Sequence, residues 1–150
     1  ESFRRNRLVS RLSGVEQGEW FDVLPYALKA AEYLMGFIKT VKLPRKLKVC
    51  FSNSPANRPH ATFRDLALRP ERTACSTYTA QAGLGANPKM GALVAEAVQP
   101  EDILYYIKAM VNTFTAYGDY ENRAKARTAI CRISWAKRNM LRHTRRSLEK

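Results

Sequence analysis

The chain has no run of about 18 consecutive apolar residues, which argues against a membrane-spanning helix. Its first residues, ESFRRNRLVSRLSG, are basic but lack the apolar core of a signal peptide, so the expectation is a soluble cytoplasmic protein. Cysteine is scarce: Cys50, Cys75 and Cys131 lie far apart, with no C-x-x-C pair and no histidine at zinc spacing. Three such cysteines cannot by themselves make a zinc site or ligate an iron–sulfur cluster. The odd number, without a secretion signal, argues against a disulfide framework, and three reduced thiols are expected. Glycine and proline number seven each and form no linker, repeat or low-complexity segment. The 150 residues, 45 % of them apolar, therefore read as one domain. A domain of this size buries about two-thirds of the unfolded chain's surface.

Acidic residues are also few, 13 against 26 Lys and Arg, for a net charge of +13. Such an excess ordinarily points to a polyanion. Its distribution weakens that inference, because Ala129 to Lys150 carries seven Lys or Arg against one Glu, and Arg4, Arg5, Arg7 and Arg11 cluster at the other end.

What is present alternates strand and helix signals. Asp22 is placed to cap a helix entered through Pro25, and LPYALKAAEYLMGFIKT sets Leu24, Leu28, Ala31, Leu34, Met35 and Ile38 along one stripe. LPRKLKVCFSNSP follows, with Leu47, Val49 and Phe51 on one face of a strand and Lys46, Lys48 and Cys50 on the other. After the turn-rich SNSPANRP, HATFRDLAL returns as a second strand and Ser76 to Ala82 forms a third. AGLGANP then turns the chain, and Asn87 and Pro88 open a short helix through KMGALVAEAV. QPEDILYYIKAMVNTFTAYGD is the longest helix, with Ile103, Ile107, Met110, Val111 and Phe114 at helical spacing and Gly118 as its stop. A further basic helix begins near Tyr120. The pattern is an α+β domain with a sheet layered against helices.

Lys46 and Lys48 admit two readings. Both ammonium groups can sit on a solvated sheet face, or, as neighbours at i and i+2 about 7 Å apart along a strand, they can converge on one small anion and donate protons to it. Arg45 adds a planar donor suited to carboxylates. AGLGANP is neither a Walker A nor a full G-x-G-x-x-G pattern, so a turn is favoured over a phosphate cradle. His60 reads as a loop residue. RRNR and NRAKAR either grip phosphate or are solvated, and lack the interleaved aromatics of a single-strand binder. Composition and spacing alone reach an anion-binding α+β domain.

The ordered set RNRLVSRLSGV, FDVLPYA, LPRKLKVCFSNSP, FRDL, GLGANPKMG, PEDILYYIKAMVNTF and ENRAKART resembles the sirohaem and 4Fe-4S domain of sulfite and nitrite reductases, from about Arg4 to Thr128. The resemblance implies an α+β unit with a mixed sheet, used twice per enzyme. The two copies enclose sirohaem, whose axial cysteine is shared with a 4Fe-4S cluster. It also implies six-electron reduction of sulfite to sulfide or nitrite to ammonia, fed by an electron donor. By the same resemblance Lys46 and Lys48 face the substrate, Arg5 of RNRLV binds it, and Arg45 and Arg127 meet the macrocycle's carboxylates. Sirohaem carries eight carboxylates, so a basic pocket is required.

The family's C-x(5)-C and C-x(3)-C cluster cysteines are missing from this sequence, which makes it similar to the first, non-cysteine half-domain and implies a partner half-domain bearing the cluster. Residues 1–128 are assigned to that half-domain and 129–150 to a basic tail, disordered or frame-shifted. Codons exist around Ile130 to Asn139, with the flanking bases, that in a frame shifted by two bases spell YMQDILGKEEY, and codons around Glu71 to Tyr78 that likewise spell TDGLFDVY, both family-like. Two rival readings remain: a small basic nucleic-acid-binding module resting on the +13 charge, disfavoured by the absence of a recognition motif, and a degenerate, non-catalytic fragment.

Overall fold

A computed structural model describes residues 7–71, 76–80, 82–84 and 88–128. Their core is a five-stranded mixed sheet in the order β1-β2-β3-β4-β5, backed by two helices. Strands β1 (Arg7–Val9), β2 (Val49–Phe51) and β3 (Leu66–Pro70) are parallel; β4 (Ser76–Ala80) and β5 (Ala92–Val98) add to them antiparallel. This is the mixed α+β architecture expected.

Parallel pairing requires a crossover, and helix α1 (Leu24–Gly36) supplies the one between β1 and β2. The Asp22 carboxylate accepts the Leu24 amide at 2.9 Å at its start, where Pro25 needs no amide partner. The buried face of α1 is Ala27, Ala30, Ala31 and Leu34, whereas Leu24, Leu28 and Met35 are exposed. The stripe expected from leucine spacing is therefore rotated. Small alanines let the helix sit close on the sheet, and the larger side chains point outward.

Helix α2 (Ile103–Tyr117) follows a 3-10 turn over Pro100–Asp102 and buries Ile103, Ile107, Met110, Val111 and Phe114, the spacing its sequence predicts. It ends where the Gly118 amide donates to the Phe114 carbonyl at 3.0 Å. Gly118 is needed for close approach: a Cβ there would lie well under 3.0 Å from Pro44 Cγ and the Phe114 carbonyl oxygen. The end of α2 thus seats the segment that leads into the lysine run. Tyr78 of β4 packs against Tyr106 of α2, ring centroids 4.8 Å apart, and the core closes around Leu47, Val49, Phe51, Leu66 and Leu68.

Three local expectations are corrected. HATFRDLAL does not turn straight back: its first part holds a 3-10 turn at Ala61–Phe63, and β3 runs parallel to β2. KMGALVAEAV is not a helix but the edge strand β5. Paired amide–carbonyl bonds between Gly83 and Lys89, 3.0 and 2.9 Å, close a hairpin that commits the segment to pair with β4, overriding alanine's helix propensity. Gly85 and Asn87 of that turn lie outside the described residues. Ala97, at φ 53°, and a register irregularity with β4 kink this edge.

The basic segment after Tyr120 is a series of turns. Asp119 Oδ1 accepts the amides of Glu121 and Asn122, and Asn122 Oδ1 accepts those of Ala124 and Lys125, so short polar side chains take the donors a helix would use. Cys75, Cys131 and the 129–150 tail lie outside the described residues.

Candidate functional site

The helices cover one face of the sheet. On the other, Leu8, Cys50 and Ala67 pack with Ala61 of the 3-10 turn. The alternation of β2 extends back along the chain: Leu47 and Val49 are buried in the core, Lys48 is half-buried and Lys46 exposed, so both lysines fall on the face away from the helices. Lys46 and Lys48 stand just before β2, yet the ladder already includes Lys48, whose carbonyl accepts the Leu66 amide at 3.1 Å. Arg69 takes the same face of β3, because Leu66 and Leu68 point into the core.

At this end of the parallel strands three segments converge. The half-buried Asp65 carboxylate accepts the Lys48 amide at 2.9 Å through Oδ2 and the Thr128 hydroxyl through Oδ1. Arg45 Nη1 donates to the Arg123 carbonyl, and the Tyr120 hydroxyl to the carbonyls of Lys42 and Thr115, both at 3.0 Å. LPRKLK, FRDL and ENRAKART, far apart in sequence, are thereby stitched into one basic corner. Burial pushes the Asp65 carboxyl above its ordinary value. The Thr128 hydroxyl, the Lys48 amide and the charges of Lys48 and Arg127 pull it back.

Of the residues singled out from sequence, Lys48 and Arg127 both act electrostatically on Asp65, Arg45 anchors the corner, and Lys46 sits at its exposed rim. Arg5 lies outside the described residues; the strand that begins two positions later runs parallel beside β2, with Arg7 opposite Val49. Sequence reasoning missed Asp65, Arg64 and Arg69. The alternation of LALRP already placed Arg69 opposite the core leucines. Asp65 carried only the weak signal of an acid directly before a strand in a basic neighbourhood.

Arg64 Nε and Arg69 Nε are buried with no hydrogen-bond partner among the described residues. Buried donors are ordinarily satisfied, so these two suit an added acceptor. Cys50, by contrast, is a poor metal ligand: burial raises its thiol to about 12, against a smaller opposing effect of Arg64, and its Sγ contacts the Pro59 carbonyl at 3.8 Å. No group of three or more His, Cys, Asp or Glu placed to hold a metal occurs among the described residues. No helix there is long and apolar enough to cross a membrane. A 560 Å³ apolar groove lies between the helices, lined by Lys29, Tyr33, Phe37 and Leu104 among others, but none of the basic-corner residues reaches it.

The fold of this chain has a counterpart among solved structures. The structure of Mycobacterium tuberculosis NirA protein superposes on 94 % of this chain with a TM-score of 0.78, at 23 % sequence identity. The chain spans 26 % of that protein's length. Residues 1–146 match the family described as the nitrite and sulphite reductase 4Fe-4S domain, and the chain belongs to that family. A search of curated proteins gave no match.

Proposed function

We propose that this chain is the non-cysteine half of a sirohaem and 4Fe-4S reductase that converts sulfite to sulfide or nitrite to ammonia, and that its basic corner binds the anion and the carboxylates of sirohaem. The observation that carries the reading is the convergence of Lys48, Arg45 and the ENRAKART segment around Asp65.

The residues present fit the carboxylates of sirohaem. The orphaned Nε donors of Arg64 and Arg69 call for acceptors, Arg69 further along the same face of the sheet as Lys48, and Arg45 and Arg127 supply further positive charge. When bound, that group supplies the iron on which the anion is reduced. The chain's own contribution is electrostatic and protic: Lys46 and Lys48 hold a small anion by charge and donate protons from Nζ as its oxygens leave. Arg5 belongs to the same anion-binding set. The cluster itself does not fit this chain, because a 4Fe-4S centre takes four thiolates and the sequence has three scattered cysteines. A second half-domain must supply it, and an electron donor must reduce it.

Lys46→Ala and Lys48→Ala test the assignment in the holoenzyme. Loss of a positioned proton donor lowers kcat by roughly 10²-fold or more. Unchanged reduction of both sulfite and nitrite by both variants rules the assignment out, whereas a rise in KM alone supports the anion-binding role of the lysines and rules out their proton-donor role.

A further inference from the structure

We infer that Asp65 is the positioning residue of the basic corner, an inference that rests on the reading of Lys48 given above. The Asp65 side chain takes the place of a backbone acceptor at the point where the β2–β3 ladder runs out. Lys48 offers its carbonyl to Leu66, the residue after Asp65, and its amide to Asp65 Oδ2 at 2.9 Å. The backbone of Lys48 is thus held at both its amide and its carbonyl by two consecutive residues, which fixes the direction in which its side chain leaves the sheet.

The other carboxylate oxygen accepts the Thr128 hydroxyl, and Thr128 is buried. A single side chain therefore joins the segment carrying Lys46 and Lys48 to the segment carrying Arg127 and Thr128, with Thr128 63 residues from Asp65 in sequence. Both cations also act on Asp65 through space. In a corner otherwise rich in positive charge, one half-buried carboxylate offsets the repulsion between Lys48 and Arg127 without occupying the Lys48 ammonium: no ion pair joins Lys48 Nζ to Asp65 within 4.0 Å among the described residues. The lysine remains available to an incoming anion. An uncompensated set of cations would splay apart, and the anion would meet one charge where it now meets several.

Asp65→Asn and Asp65→Ala separate the two parts of this role. Asn keeps an acceptor for the Lys48 amide and removes the charge; Ala removes both. Amide hydrogen exchange of the full chain reads the first part. The expected result is exchange at Lys48 at least tenfold faster in Asp65→Ala and near wild type in Asp65→Asn. Steady-state reduction by the holoenzyme reads the second, with KM for the anion raised at least tenfold in Asp65→Ala, less in Asp65→Asn, and the Asp65→Ala/Lys48→Ala double variant no worse than Lys48→Ala alone.

Wild-type exchange at Lys48 in Asp65→Ala overturns the inference. So does a fully additive double variant, which would mean that Asp65 acts independently of Lys48. If Lys48→Ala reduces the anion normally, the functional reading itself falls. If Lys48→Ala is impaired while both Asp65 variants reduce normally, only the positioning role does. Thermal melts of Asp65→Ala beside the shape-preserving Asp65→Asn show whether a loss in Asp65→Ala is merely unfolding.

Discussion

Two carboxylates in this molecule respond to pH in opposite senses, and each reports on its surroundings. Glu16, with a side chain 6 % exposed, accepts Asn53 Nδ2 at 2.8 Å and the Ser10 hydroxyl at 3.1 Å, and pairs with Arg58 Nε. The Asn53 bond is the largest cause that holds its carboxyl below the ordinary 4.5, and burial opposes it. A depressed folded value contributes stability that is present above pH 4.5 and lost as pH falls from there through the lower folded value. Glu16→Gln is expected to flatten the acid limb of a melting-temperature curve taken from neutral pH to about 2.5; an unchanged limb would show that the network is not maintained in solution. Asp65 has the reverse sign. Its folded value is raised, chiefly by burial, so its contribution is present below 3.8 and declines as pH rises through the raised value. Asp65→Asn removes that decline, which the same melts detect.

Element by element, the legibility of the fold followed how far local physics decided each segment. Helix α2 was readable because five large apolar residues at helical spacing all face the core. The lysine strand was readable for a similar reason, since Leu47, Val49 and Phe51 alternate into it. Helix α1 was placed but rotated, because its buried face is made of alanines that leucine spacing obscures. Strand β5 was misread because Ala, Leu and Glu favour a helix until a hairpin from β4 claims them, and the turns of 119–128 because Asp119 and Asn122 capture amides that a helix would use. At this scale Gly118 is the most tightly enclosed of the described glycines. Gly118→Ala forces Pro44 or the end of α2 to move and is expected to destabilise the protein by about 1–3 kcal/mol in a denaturant titration, the range for overpacking. A loss below about 0.5 kcal/mol, ordinary for an unconstrained surface site, would mean that the Pro44 contact yields freely.

For the whole molecule, the site was legible as a lysine pair and scattered arginines, but not as one place. Only the parallel pairing of β2 with β3, and the return of ENRAKART beside them, brings Lys48, Arg45, Asp65 and Arg127 together. Acceptors such as Asp65 leave almost no trace in a single sequence, because their role depends on contacts across 17 and 63 positions. The +13 charge is likewise a feature of the whole chain. In the proposed reading, the part that matters functionally is the cluster facing away from the helices, which the macrocycle's carboxylates neutralise. The most direct measurement is sirohaem uptake by this chain mixed with a cluster-bearing half-domain, followed by its haem-like absorption band. The account predicts that the wild-type chain develops the band and that Arg69→Glu loses it while retaining its melting temperature. A band of equal intensity in Arg69→Glu, or none with the wild-type chain, would contradict it.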